Sequence, residues 1–127
     1  MFREKFIAKV PESIIESAHF GLRSWERTFN IACWVRFRTP RPSHVALMLH
    51  YMDDEGTKAA QVDHCVTELE TTLLLSAHIT IAGKGRVKEM SVYLKVDDNS
   101  SPYVVDELYV QSCEKDAIAQ PKIIGAA

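Results

Sequence analysis

The sequence has few of the residues that hold together small proteins cross-linked by disulfides or built around a metal ion. Its 127 residues include three cysteines, an odd number without a Cys-x-x-Cys spacing, which argues against a disulfide framework and a structural zinc site. It also lacks long apolar runs: segment 72–77 is far too short to span a bilayer. The first six residues lack the apolar core of a signal peptide. We therefore expect no membrane partner, and a cytoplasmic protein as written, or a secreted one if it is a module of a longer chain.

An excess of charge of either sign is also missing. Fifteen Lys and Arg against seventeen Asp and Glu give a formal net charge of −2, so no global positive field would hold a polyanion, and nucleic acid is not an expected partner. Hydrophobic residues make up 46% and charged residues 25% of the chain, as in globular proteins rather than in disordered chains or coiled coils. At this length we expect one domain with a packed core.

Alternation of apolar and polar residues indicates strands along most of the chain. Turn signals such as Asp53-Asp54-Glu55-Gly56 separate them, and only 11–18 suits a short helix. This pattern predicts an all-β protein, an antiparallel β-sandwich or barrel, with 1–111 as the domain and 112–127 as a loosely attached tail or an edge strand. The alternating segments are 2–10, 29–38, 44–52, 57–62, 72–81, 86–96 and 103–111.

Six phrases follow one another along the chain in a recognisable order. They are Arg27-Thr28, Cys33-Trp34-Val35-Arg36, 45–53, Ala77-His78-Ile79-Thr80-Ile81, Val92-Tyr93-Leu94-Lys95 and 103–110. Together they resemble the jelly-roll carbohydrate-binding modules appended to xylanases and glucanases, over roughly residues 25–111. The resemblance implies a jelly-roll sandwich that binds a polysaccharide or oligosaccharide without catalysis.

The alternation also places candidate binding residues on the polar sides of their strands. If the strands of Trp34 and Tyr93 are neighbours, both rings project from one sheet face and could stack on a pyranose. The residues that could then hydrogen-bond its hydroxyls are Arg36, His50, Glu89 and Lys95. The family's groove aromatics match the two rings, but Lys95 replaces the family's acidic residue, which could redirect the preference toward an acidic glycan.

Two plainer interpretations stand beside this one. Trp34 could be covered by a loop or by the tail and merely pack. Alternatively, the aromatic face could join proteins inside the cell, including copies of this chain, so that the domain mediates association or homo-oligomerisation.

Asp106 shares its phase with Val104, Leu108 and Val110, so the alternation predicts a carboxylate that points into the core and needs a partner. In the resembling family the matching Asp binds a structural calcium; a Lys, an Arg or a backbone amide would serve as well. No other cofactor is expected.

Catalytic residues are not predicted. Cys65 and its neighbour His64 should point to opposite faces of a strand, so they could not form a nucleophile–base pair. Cys33 falls on the apolar side of its strand, as expected of a core residue. We therefore expect a binding protein rather than an enzyme.

Overall fold

The computed structural model describes residues 2–18, 21, 23–38, 43–67, 71–97, 102–113 and 122–124. Within these ranges the chain forms eight strands and one short helix. No helix in this part of the chain is long and apolar enough to cross a membrane. The elements are β1 (Phe2–Lys9), α1 (Glu12–Ser17), β2 (Ser24–Phe37), β3 (Ser43–Asp53), β4 (Gly56–Thr67), β5 (Thr72–Lys84), β6 (Glu89–Asp97), β7 (Tyr103–Ser112) and β8 (Lys122–Ile124).

The strands form two antiparallel sheets that pack face to face. The first, which we call the front sheet, has the order β1-β6-β3-β4, and the second, the back sheet, has the order β5-β2-β7-β8. The predicted all-β sandwich is confirmed, and the weak segment 57–62 belongs to the longer strand β4. The jelly-roll winding stays a prediction. Of segment 112–127, Lys122–Ile124 pairs with the edge of β7.

The core lies between the two sheets and is built by the alternation seen in the sequence. Along the central strands one side is buried and the other is partly exposed, as in the alternating pattern of β6. Burying a large aliphatic or aromatic side chain stabilises the fold by about 1.5–3 kcal/mol. Fully buried side chains include Phe29, Ile31 and Val35 of β2, Val45, Leu47 and Leu49 of β3, and Met90, Val92 and Leu94 of β6.

Cys33 belongs to this core, as predicted. Burial disfavours the charged thiolate and raises the pKa of Cys33 to about 12. The side chain is therefore a protonated, unreactive thiol at neutral pH.

The alternation of β7 is interrupted at Asp106, and the predicted inward orientation of this residue is wrong. The ladder with β2 skips Asp106, which is the extra residue of a β-bulge. The buried positions around it, Val105 and Leu108, are therefore three residues apart instead of two. Val104, expected inside, is exposed for the same reason.

The carboxylate of Asp106 instead points to solvent and has a cation beside it. Its Oδ1 accepts a hydrogen bond from Arg36 at 3.0 Å, an exposed ion pair of the kind that contributes about 0.2–1 kcal/mol. A calcium ion needs several oxygen ligands, and among the described residues no group of three or more His, Cys, Asp and Glu could hold a metal. The surroundings of Asp106 therefore do not fit a calcium site.

Asp53, at the end of β3, does have a buried carboxylate. Its Oδ2 accepts a hydrogen bond from Lys84 N at 3.0 Å and lies 2.9 Å from Lys58 Nζ. Its Oδ1 accepts a hydrogen bond from Glu55 N at 2.8 Å. Burial opposes the charged form, but the bonds from Lys58 and the two backbone amides outweigh it and hold the pKa of Asp53 below its usual value. Asp53 thus joins the β3–β4 turn to the end of β5 in the other sheet.

Candidate functional site

The structure separates the predicted binding residues into two groups on opposite sides of the sandwich. Trp34 and Arg36 lie on β2 in the back sheet, whereas His50, Glu89, Tyr93 and Lys95 lie on β3 and β6 in the front sheet. All are on the outer sides of their strands. The prediction that Trp34 and Tyr93 share one face is therefore wrong. Alternation shows on which side of its strand a residue lies, but not to which sheet the strand belongs.

Three rings meet on the outer face of the front sheet, and we call them the aromatic platform: Phe6, Tyr93 and His50. The ring centroids of Tyr93 and His50 are 4.3 Å apart with their planes at 33°. Phe6 meets Tyr93 edge-on, with centroids 5.7 Å apart and planes at 78°, an arrangement that aromatic pairs favour. Phe6 is 54% exposed, so the platform offers apolar ring surface to solvent.

A carboxylate holds one ring of the platform in place. Glu4 Oε1 lies 3.1 Å from His50 Nε2, within hydrogen-bonding distance. Glu4 and Phe6 were missed by sequence reasoning, although the alternation in 2–10 already puts them on one side of a strand. What the sequence does not show is that β1 pairs with β6, which sets Phe6 opposite Tyr93.

A depression of about 280 Å³ lies on the same face of the front sheet, and we call it the Ala46 pit. Ala46 pairs across the ladder with Lys95 on one side and with His64 on the other. Because its methyl group is much shorter than these neighbours, the surface dips at this point. The lining residues are His44, Val45, Ala46, Gln61, His64, Cys65 and Lys95.

The outer face of the back sheet has a different character. Three large apolar side chains are exposed there: Trp34 (42%), Leu74 (44%) and Val104 (46%), and we call them the apolar patch. Trp34 lies opposite Leu74 in the ladder, and Val104 lies opposite Arg36. Since Trp34 is exposed in the structure, the interpretation that it is covered and merely packs is not supported. Clustered exposed apolar side chains are typical of interaction surfaces.

Comparison of the chain with protein-family models, with curated proteins and with solved structures gave no match. Function is therefore inferred from the chemistry of the two outer faces. The front face combines exposed rings with a depression lined by both polar and apolar side chains, and the back face combines apolar side chains with a surface ion pair.

Proposed function

We propose that this protein is a non-catalytic saccharide-binding domain whose binding surface is the outer face of the front sheet. The observation that carries the proposal is the aromatic platform beside the Ala46 pit. Exposed rings stack on the apolar face of a pyranose, and a few convergent polar groups fix its orientation.

The polar groups around the pit suit the hydroxyls of a sugar. Gln61 offers both a donor and an acceptor, while Lys95 and His64 offer N–H donors. No catalytic step is proposed at this face. Cys65 lies on the inner side of β4 opposite Val45, whereas His64 lies on the outer side opposite Ala46, so the two cannot act as nucleophile and base.

Replacing Tyr93 with alanine is expected to weaken saccharide binding about 10-fold to 100-fold, since the central ring of the platform is lost. Affinity electrophoresis in native gels that contain xylan, β-glucan, mannan or polygalacturonate measures this effect. Tyr109→Ala is the matched control, because Tyr109 lies on the back sheet with its hydroxyl bonded to Gln111. No retardation of the wild-type protein in any of the gels would contradict the proposal, as would unchanged retardation of a folded Tyr93→Ala variant.

A second function is favoured by the apolar patch, which fits self-association through the back sheet. Surfaces of this kind become interface centres when a partner covers them. Leu74→Asp is expected to shift a dimer to monomer in sedimentation velocity, because it buries a charge in such an interface. His78→Asp, on the exposed side of the same strand, should leave the dimer intact. A wild-type protein that sediments as a monomer at 100 μM would rule this function out.

A further inference from the structure

We infer that Asp63 keeps the exposed edge of β5 from pairing with the same edge of a second copy of this chain. β4 is an edge strand of the front sheet, and β5 is an edge strand of the back sheet. Asp63 lies on β4, and its Oδ2 accepts a hydrogen bond from Ser76 N of β5 at 2.9 Å. This bond joins the two edges, and the inference drawn from it does not depend on saccharide binding.

Every second residue of β5 turns its backbone groups toward the open edge. A strand in an antiparallel sheet presents the N–H and C=O of alternate residues on the same side, and the bond from Ser76 N shows which residues these are. Leu74, His78 and Thr80 therefore face the same way as Ser76. In the described part of the chain β5 has no partner strand on this side.

The far end of this row is covered by the front sheet. The Tyr51 hydroxyl donates a hydrogen bond to Ala82 O at 2.8 Å, and Asp53 Oδ2 accepts one from Lys84 N at 3.0 Å. Both contacts involve residues an even number of positions from the one that Asp63 binds, which agrees with the alternation. The open stretch of the edge is therefore 72–80.

The sequence of β5 gives this edge no protection of its own. Segment 72–83 contains no Asp, Glu, Lys, Arg or Pro, and long uncharged strands with an open edge pair readily with other chains. By contrast, the edge strand β1 carries four charged residues among its eight, and β8 is only three residues long. Protection of β5 has to come from another strand, and Asp63 supplies it.

A β-bulge turns Asp63 toward this edge. Val62 is the extra residue between Gln61 and Asp63 in the ladder with β3. Asp63 pairs there with Leu47, which is fully buried. Because directly opposed residues of an antiparallel ladder share a side, Asp63 lies on the side of β4 that faces the back sheet. Without the bulge, alternation would turn its carboxylate to solvent.

A second copy is the partner that the open edge fits. Two β5 edges can pair antiparallel about a two-fold axis, so that each supplies the donors and acceptors that the other needs. The carboxylate of Asp63 opposes this pairing in two ways. It occupies the N–H of Ser76 within the open stretch, and it places a negative charge on both of the approaching edges.

Hydrogen exchange resolved by residue with NMR tests the inference in the unaltered protein. The amide of Ser76 is expected to exchange at least about 10-fold more slowly than the amides of His78 and Thr80. In the described structure it is the only one of these three backbone N–H groups with an acceptor. Exchange at Ser76 as fast as at His78 would overturn the inference.

Replacing Asp63 with alanine tests the consequence for association. In sedimentation velocity the variant is expected to form larger species than the wild type at the same concentration, and the amides of His78 and Thr80 should become at least about 10-fold better protected as a second strand covers them. Contact through the apolar patch would not protect these amides. Asp54→Ala removes the same charge from an exposed residue and should behave as the wild type.

A second substitution separates edge pairing from misfolding. His78→Pro removes an N–H that faces the open edge rather than the ladder with β2, and proline is tolerated at such positions of edge strands. Asp63→Ala combined with His78→Pro is therefore expected to sediment as the wild type does. Equal assembly of the single and double variants, loss of folded protein in both, or an Asp63→Ala variant that sediments as the wild type would each overturn the inference.

Discussion

Replacing Trp25 with alanine is expected to lower the free energy of unfolding by about 3–5 kcal/mol, whereas the same change at Trp34 is expected to alter it by about 0.5 kcal/mol or less. Both tryptophans lie on β2, which makes them a matched pair. The difference follows from burial, since Trp25 is 7% exposed and Trp34 is 42% exposed.

Trp25 closes one corner of the core and is held there from several directions. Its ring packs against Tyr51, with centroids 6.0 Å apart, and its Nε1 donates a hydrogen bond to Gly85 O at 2.8 Å. A Cβ at Gly83 would overlap both the Trp25 ring and the carboxylate of Asp53, so the close approach at this position requires glycine. Alanine at Trp25 would leave a cavity and remove the donor to a buried carbonyl.

Urea unfolding of the two variants measures this difference, and fluorescence supports it. Trp34→Ala retains only the buried Trp25, so its emission should lie at shorter wavelength than that of Trp25→Ala. A Trp34→Ala variant that unfolds at as low a urea concentration as Trp25→Ala would show that Trp34 is a core residue. It would also remove the apolar patch as a candidate interface.

Replacing Asp53 with asparagine is expected to lower the melting temperature by several degrees at pH 7 and by progressively less as the pH falls below about 4. The pKa of Asp53 is held below its ordinary value in the folded protein. Its stabilisation is therefore complete above the unfolded-state pKa, near pH 4, and is lost as the pH falls through the lower folded-state value. Protonated aspartate and asparagine are both neutral, so the two proteins should converge in acid.

Melting curves of wild type and variant from pH 7 to pH 2 follow this convergence. Asp54→Asn is the control, because Asp54 is the adjacent residue and is exposed; its curve should run parallel to that of the wild type. A gap between wild type and Asp53→Asn that stays constant down to pH 2 would mean that the charge of Asp53 does not contribute to stability.

The strands and their inner faces could be predicted because apolar residues at every second position indicate a strand with one buried side. The residues predicted in this way to face the core are all buried; they include Val45, Leu47 and Leu49 on β3 and Met90, Val92 and Leu94 on β6. It failed at Asp106, because a bulge shifts the phase by one residue and leaves no mark in the composition of β7.

The candidate site could be predicted only in part, for a related reason. Tyr93, His50 and Lys95 were placed correctly on the outer sides of their strands, but Trp34 was assigned to their face although it lies on the other sheet. Phe6 was not considered, because its neighbour Tyr93 belongs to a strand far along the chain. Pairing between distant strands depends on tertiary packing that local patterns do not report.

The position of β1 has a consequence for the aromatic platform. In the described structure β1 pairs only with β6, and the partners Phe6 and Tyr93 are about 90 positions apart in the chain. None of residues 3–9 is fully buried, and a strand at the end of a sheet with few buried side chains is expected to open more readily than the core strands. Glu4 and Phe6 leave Tyr93 and His50 whenever β1 detaches from β6, so the aromatic platform exists only while this one strand pairing is intact.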